Sequence, residues 1–334
     1  MKIIRWTASI LCLLIAGFVS AQSINDFKII NTYHIASTGG WDYLAVNNGR
    51  LYVSHGTQLN VLNEETGDSI GFIANTIGIH GVAFNNKDGK GYTSNGRNNN
   101  VTVFNLKTND TLMRITTGEN PDAILYDPGT NSVITCNGRG KSLSVIDAAT
   151  NTVKSTIDVG GKPETAVADG KGFVYVNLED KNEIAMVNLK TNSVAARWPL
   201  HAEGPTGLAF DASTHRLFAG CDKKLIVLNS DNGNLVDSVK IGDGCDGVGF
   251  DSRKKLIYTS NGEGTLSVIK ENSANQFTLV GNFPTKRGAR TIAVDEKDSK
   301  IFLPTADFDT ALGPNGRPRM MPGTFQVLVI QGPK

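Results

Sequence analysis

Asp42, His80, Asp122, Glu164, Thr206, Asp246 and Arg290 share one position in a degenerate sequence pattern. Each stands second in a short segment that continues with apolar residues: WDYLAV, IHGVAF, PDAILY, PETAVA, PTGLAF, CDGVGF and ARTIAV. Most of these residues are charged or titratable, which is more than a turn position needs. Drawn into one ring, Asp122, Glu164 and Asp246 would suit a hard cation such as Ca²⁺ or Mg²⁺, and His80 would admit Zn²⁺ or Mn²⁺. Arg290 could instead receive an anion. A second set follows about 15 residues later in several copies: Asn95 with Arg97, Asn137 with Arg139, and Asn261. A structural explanation competes with both. First-strand carboxylates can accept backbone N–H bonds, Arg290 can pair with Asp246 or Asp42, and Asn-Gly is a favoured hairpin turn in its own right.

The elements that would gather these residues are strands. The segment starts, near 41, 79, 121, 163, 205, 245 and 289, are 38 to 44 residues apart. The clearest copy, PDAILYDPGTNSVITCNGRGKSLSVIDAATNTVKSTIDVG from Pro121 to Gly160, divides at its turns into four strands. A repeat of this length with four strands per copy predicts an all-β, seven-bladed β-propeller with four-stranded blades. The first strand of each blade then lies at the axis, and its second residue lies at one mouth of the central channel. The seventh copy lacks an outer strand, and Phe27–Ile35 (FKIINTYHI) reads as one, so the ring should close by pairing this N-terminal strand (27–35) with the last blade. An insertion at 307–323, DFDTALGPNGRPRMMPG, interrupts that blade. It should project over the mouth as a loop carrying Asp307, Asp309, Arg317 and Arg319, because its prolines cannot continue a ladder.

Composition narrows the function. Among 334 residues there are 33 Lys and Arg against 32 Asp and Glu, a formal charge of +1. That balance disfavours a nucleic-acid partner. Residues 1–21 read as a secretory signal peptide: Lys2 and Arg5 precede an apolar run from Ile10 to Val19, and Val19-Ser20-Ala21 offers a cleavage site. One domain, 22–334, remains, with no membrane span. Export to the periplasm is expected, with the cell surface or secretion as alternatives. Cys12 lies in the leader. Cys221 and Cys245 are candidates for a disulfide between adjacent blades, whereas Cys136 reads as buried.

The strand segments GYTSN (91–95), VYVNL (174–178) and IYTSN (257–261), with SVID-type strands, resemble the YVTN-repeat, YncE-like β-propellers of exported bacterial proteins. The resemblance covers nearly all of the mature chain. It implies the fold and export, and no single activity. Related propellers include quinoprotein amine dehydrogenase subunits and the propeller of nitrous oxide reductase, but this chain has neither a CxxCH haem motif nor a His-rich copper cluster. No nucleophile elbow, phosphate loop or HExxH is present. The reading that follows is a monomer that binds a small molecule or an envelope protein through a polar, acidic funnel, without catalysis. The alternative is a lactonase-like hydrolase holding one divalent cation with Asp122, Glu164, Asp246 and His80. A third option is an envelope scaffold with no channel chemistry.

Overall fold

The computed structural model describes residues 23–312 and 318–333. The expected signal peptide, with Cys12, and Arg317 of the insertion lie outside them.

The described residues form seven four-stranded antiparallel sheets, a seven-bladed β-propeller. Among the described residues there is no helix apart from three short 3-10 turns, and none is long and apolar enough to cross a membrane. Six blades take their strands in chain order. Blade 3, for example, runs Pro121–Asp127, Ser132–Asn137, Ser142–Asp147 and Thr152–Asp158 from the axis outward. In blade 7 the order is Ala293–Asp295, Lys300–Thr305, Gln326–Gln331 and then Lys28–His34, with Lys28 opposite Gln331 and His34 opposite Gln326. The N-terminal strand therefore closes the ring as its pattern predicts, and blade 7 has four strands like the others.

Burial follows strand position. All six residues of Ser132–Asn137 are buried, whereas Thr152–Asp158 alternates between exposed and covered residues. The core is a series of clusters between neighbouring sheets; one joins Tyr175, Trp198, Leu217 and Leu228 of blades 4 and 5. An Asx turn after the third strand repeats from blade to blade. The side chains of Asn63, Asn105, Asp147 and Asn188 each accept N–H bonds from the residues two and three positions on. This local bonding explains the recurring Asn/Asp-x-x-Thr pattern.

The insertion departs from expectation. It contains a β-hairpin, Phe308–Leu312 with Pro318–Met320. Phe308 pairs with Met320 and Leu312 with Pro318, so the proline stands where a two-stranded ribbon tolerates it. Its root is held on the mouth side of the ring. Asp307 pairs with Lys286, and the Phe308 ring lies 6.2 Å from Trp41.

Candidate ligand site at the channel mouth

The first strands do not pair evenly with the second. In blade 1, Trp41 is opposite His55 and Leu44 is opposite Val53, so Asp42 and Tyr43 together face Ser54. The same break follows Ile79, Pro121, Pro163 and Cys245. Five of the ring residues, Asp42, His80, Asp122, Glu164 and Asp246, thus stand in β-bulges, which turn side chains away from the ladder. Serine hydroxyls fix the bulge at both ends: Ser54 accepts from Asp42 N at 3.2 Å and donates to Tyr43 O at 2.8 Å.

The bulges bring the ring residues together. His80 Nδ1 lies 2.6 Å from Asp42 Oδ2 and 3.5 Å from Asp122 Oδ1. Asp122 is 8 % exposed, and its Oδ1 accepts no hydrogen bond. Lys162 bridges Glu164, at 3.0 Å, and Glu179. Arg290 pairs with Asp246 and reaches Trp41 O at 3.4 Å. Thr206 is spent on a tie between blades, donating to Cys245 O at 2.7 Å.

Crowding of carboxylates in a half-dry ring shifts their protonation. Burial pushes Asp122 up to about 8; Asp42 and Glu164 add to the shift and the His80 charge opposes it. Burial likewise raises Glu164 and Asp246, against Lys162 and Arg290 respectively. For His80, burial opposes protonation, but the Asp42 hydrogen bond and the charges of Asp122, Asp42 and Glu164 outweigh it and raise its pKa.

Above the ring is a cavity of about 580 Å³, walled among others by Trp41, Asp42, His80, Arg97, Arg139 and Arg290. Arg97 and Arg139 are exposed, and among the described residues neither forms an ion pair. The funnel is thus layered. Of the ring carboxylates only Asp42 reaches the cavity wall, whose other charges are guanidinium groups.

Besides Asp122, Glu164 and Asp246, three expected ligand residues do not reach it. Asn95, Asn137 and Asn261 are fully buried. Each is the last residue of a second strand rather than a hairpin turn. Asn137 Oδ1 accepts from Thr135 at 2.9 Å, and its Nδ2 donates to Ser142 and Ser144 at 3.2 and 2.9 Å. Asn95 and Asn261 repeat this pattern with Thr93 and Thr102, and with Thr259 and Ser267. Their hydrogen-bonding capacity is consumed inside the blade, so they are structural. The Cys221–Cys245 bridge is not formed either. Both cysteines are free and buried. Each sulfur turns to a carbonyl of its own strand, Cys221 to Ala219 O at 3.8 Å and Cys245 to Gly247 O at 3.6 Å.

Sequence reasoning missed Tyr43. Its hydroxyl lies 3.4 Å from that of Thr165, in blade 4, and its ring packs on the cluster that includes Ala123 and Ala166. The signal was present: the third position is Gly81, Ala123, Thr165, Gly207, Gly247 and Thr291 in the other copies, and Tyr43 alone is large.

Comparison with known proteins supports the fold and goes no further. No protein-family model matches the chain, and no curated protein does. Among solved structures, a chain of Kuenenia stuttgartiensis hydrazine synthase aligns with a TM-score of 0.71 at 11% identity, over 81% of this chain and 94% of that one. A chain of a mitotic checkpoint complex aligns with a TM-score of 0.76 at 11% identity, over 100% of this chain and 99% of that one. At such identity the likeness is one of fold alone.

Proposed function

We propose that this chain is an exported β-propeller that binds a small ligand at the channel mouth without transforming it. One observation carries the reading. The cavity pairs two guanidinium groups free of carboxylate partners, Arg97 and Arg139, with Asp42 and His80 of the Asp42–His80–Asp122 cluster. Concave sites with a few convergent polar groups are the usual ligand sites of closed β folds. The non-catalytic part rests on the sequence, which carries no nucleophile elbow, phosphate loop or HExxH. Export rests on the basic and apolar leader pattern, and the GYTSN and IYTSN strands support kinship with YncE-like propellers.

The test is a thermal-shift screen of the purified protein against small carboxylates, phosphates and amino acids. At least one class should raise the melting temperature, and the Arg97→Ala/Arg139→Ala double variant should lose that rise. A panel in which no compound stabilises the wild type, or in which the double variant responds equally, defeats the proposal.

A further inference from the structure

We propose that Asp42, His80 and Asp122 form a binding site for one divalent first-row transition cation, Zn²⁺ or Mn²⁺, at the floor of the funnel. The argument begins with an imbalance around one atom. Two carboxylate oxygens converge on the single nitrogen His80 Nδ1, at 2.6 and 3.5 Å. One N–H satisfies one acceptor well. Asp42 Oδ2 takes it, and Asp122 Oδ1 is left buried with no hydrogen bond. An unsatisfied carboxylate oxygen at 8 % residue exposure is costly, so a group that satisfies it would be strongly held.

The chemistry of the set favours a metal in that role. One ligand atom from each residue lies within 4.8 Å of the others. In a tetrahedral site with bonds of about 2.1 Å, ligand atoms stand about 3.4 Å apart. The Nδ1 to Asp122 separation already matches, and the Asp42 carboxylate must withdraw by less than about 1 Å from its contact with the ring. One imidazole nitrogen with two carboxylate oxygens suits Zn²⁺ or Mn²⁺ better than an all-oxygen cation such as Ca²⁺. Nδ1 is the ring nitrogen turned toward both carboxylates, at 2.6 and 3.5 Å.

The supports are in place on every side. Thr291 donates to Asp42 O at 2.8 Å, Ser94 to Asp122 O, and Ser94 also accepts from Gly81 N at 2.9 Å. The three residues come from blades 1, 2 and 3, and each is presented by its bulge. Three protein ligands leave a coordination position open toward the cavity, where an oxygen of the funnel ligand would complete it. This last step rests on the ligand-binding reading above; the cation site does not.

The experiment titrates chelator-treated, chelator-free protein with Zn²⁺ and with Mn²⁺ by isothermal calorimetry. Wild type should bind one equivalent of at least one of these ions. Asp122→Asn, which keeps shape and removes charge, and His80→Ala should each weaken it by about tenfold or more. Asp246→Asn, in the same ring but outside the triad, should bind as wild type does. Circular dichroism of every variant checks that the propeller is folded. No stoichiometric binding to the wild type, or binding unaltered in folded Asp122→Asn and His80→Ala, overturns the site. If the cation fails while the small-molecule screen succeeds, only this inference falls; if the cation binds and no compound does, only the ligand reading falls.

Discussion

The Tyr43 hydroxyl, on the first strand of blade 1, lies 3.4 Å from the Thr165 hydroxyl on the first strand of blade 4. Tyr43 and Thr165 directly follow Asp42 and Glu164, so the bridge spans the channel one residue below the ring. It makes a floor. Burial, and then the charges of Asp122, Asp42, Glu164 and Asp246, raise the phenol pKa well above its usual value, so it stays neutral. Tyr43→Phe should cost only about 0.5–1.5 kcal/mol, since one hydrogen bond is lost. Tyr43→Ala should cost about 2 kcal/mol or more, because a ring packed on Ala123 and Ala166 is removed. Melting temperatures of the two variants check this. Equal losses would mean that the ring contributes no packing.

Asn137 serves as a second test. Asn137→Ala leaves the Thr135, Ser142 and Ser144 hydroxyls facing an empty space inside blade 3. The expected loss is about 2–3 kcal/mol, measured by denaturant unfolding. Binding by Arg97 and Arg139 should be unaffected in the folded fraction. A stable variant with weakened ligand binding would return Asn137 to the site.

The cysteines make a third. Burial raises the Cys136, Cys221 and Cys245 thiols, Cys221 to about 12. All three should resist iodoacetamide in the native protein and react in guanidinium without added reductant. A pair that reacts only after reduction would show a disulfide in place of the free thiols.

The fourth concerns pH, on a blade turn remote from the funnel. Glu64 is 6 % exposed and faces Asp295, Asp298 and Lys300. Burial, followed by the Asp295 hydrogen bond and charge, pushes its carboxyl from 4.5 up to about 7 against the pull of Lys300. The folded chain therefore keeps a proton that the unfolded chain has released. Its contribution to stability is fully present below pH 4.5 and is lost as pH rises to about 7. The loss should be on the order of 2 kcal/mol, and Glu64→Gln should abolish it. Thermal melts of both proteins across this window decide. Parallel curves would mean that Glu64 has its ordinary pKa when folded.

How much of this was legible in the sequence differs by residue. The blades were, because each must rebuild the same buried inner strands and the same Asn/Asp turn. The closing strand was, because one copy lacked what Lys28–His34 supplied. The ring was legible at Asp42, His80, Asp122, Glu164, Asp246 and Arg290, since a polar residue that varies from copy to copy is not packing. Asn95, Asn137 and Asn261 misled because Asn-Gly has the same letters in a hairpin turn as at the end of a buried strand. Only the Thr and Ser residues two before and four to seven after tell the cases apart, and these partners meet through cross-strand register. The hairpin in the insertion was hidden by its prolines. Layering of charge by depth depends on which side chains the bulges turn inward, and spacing does not encode that.

The seam in blade 7 sets the order of events in folding. Lys28–His34 finds Gln326–Gln331 only once nearly all of the intervening chain exists, so this contact closes the longest loop in the molecule. Six blades can stack one on the next as they are made. The seventh cannot be finished until the first strand made meets the last, like a bracelet whose catch is fastened after every link is in place. A sequence change at the Ile29–Ile330 pair should therefore tell in the rate of unfolding of the whole ring.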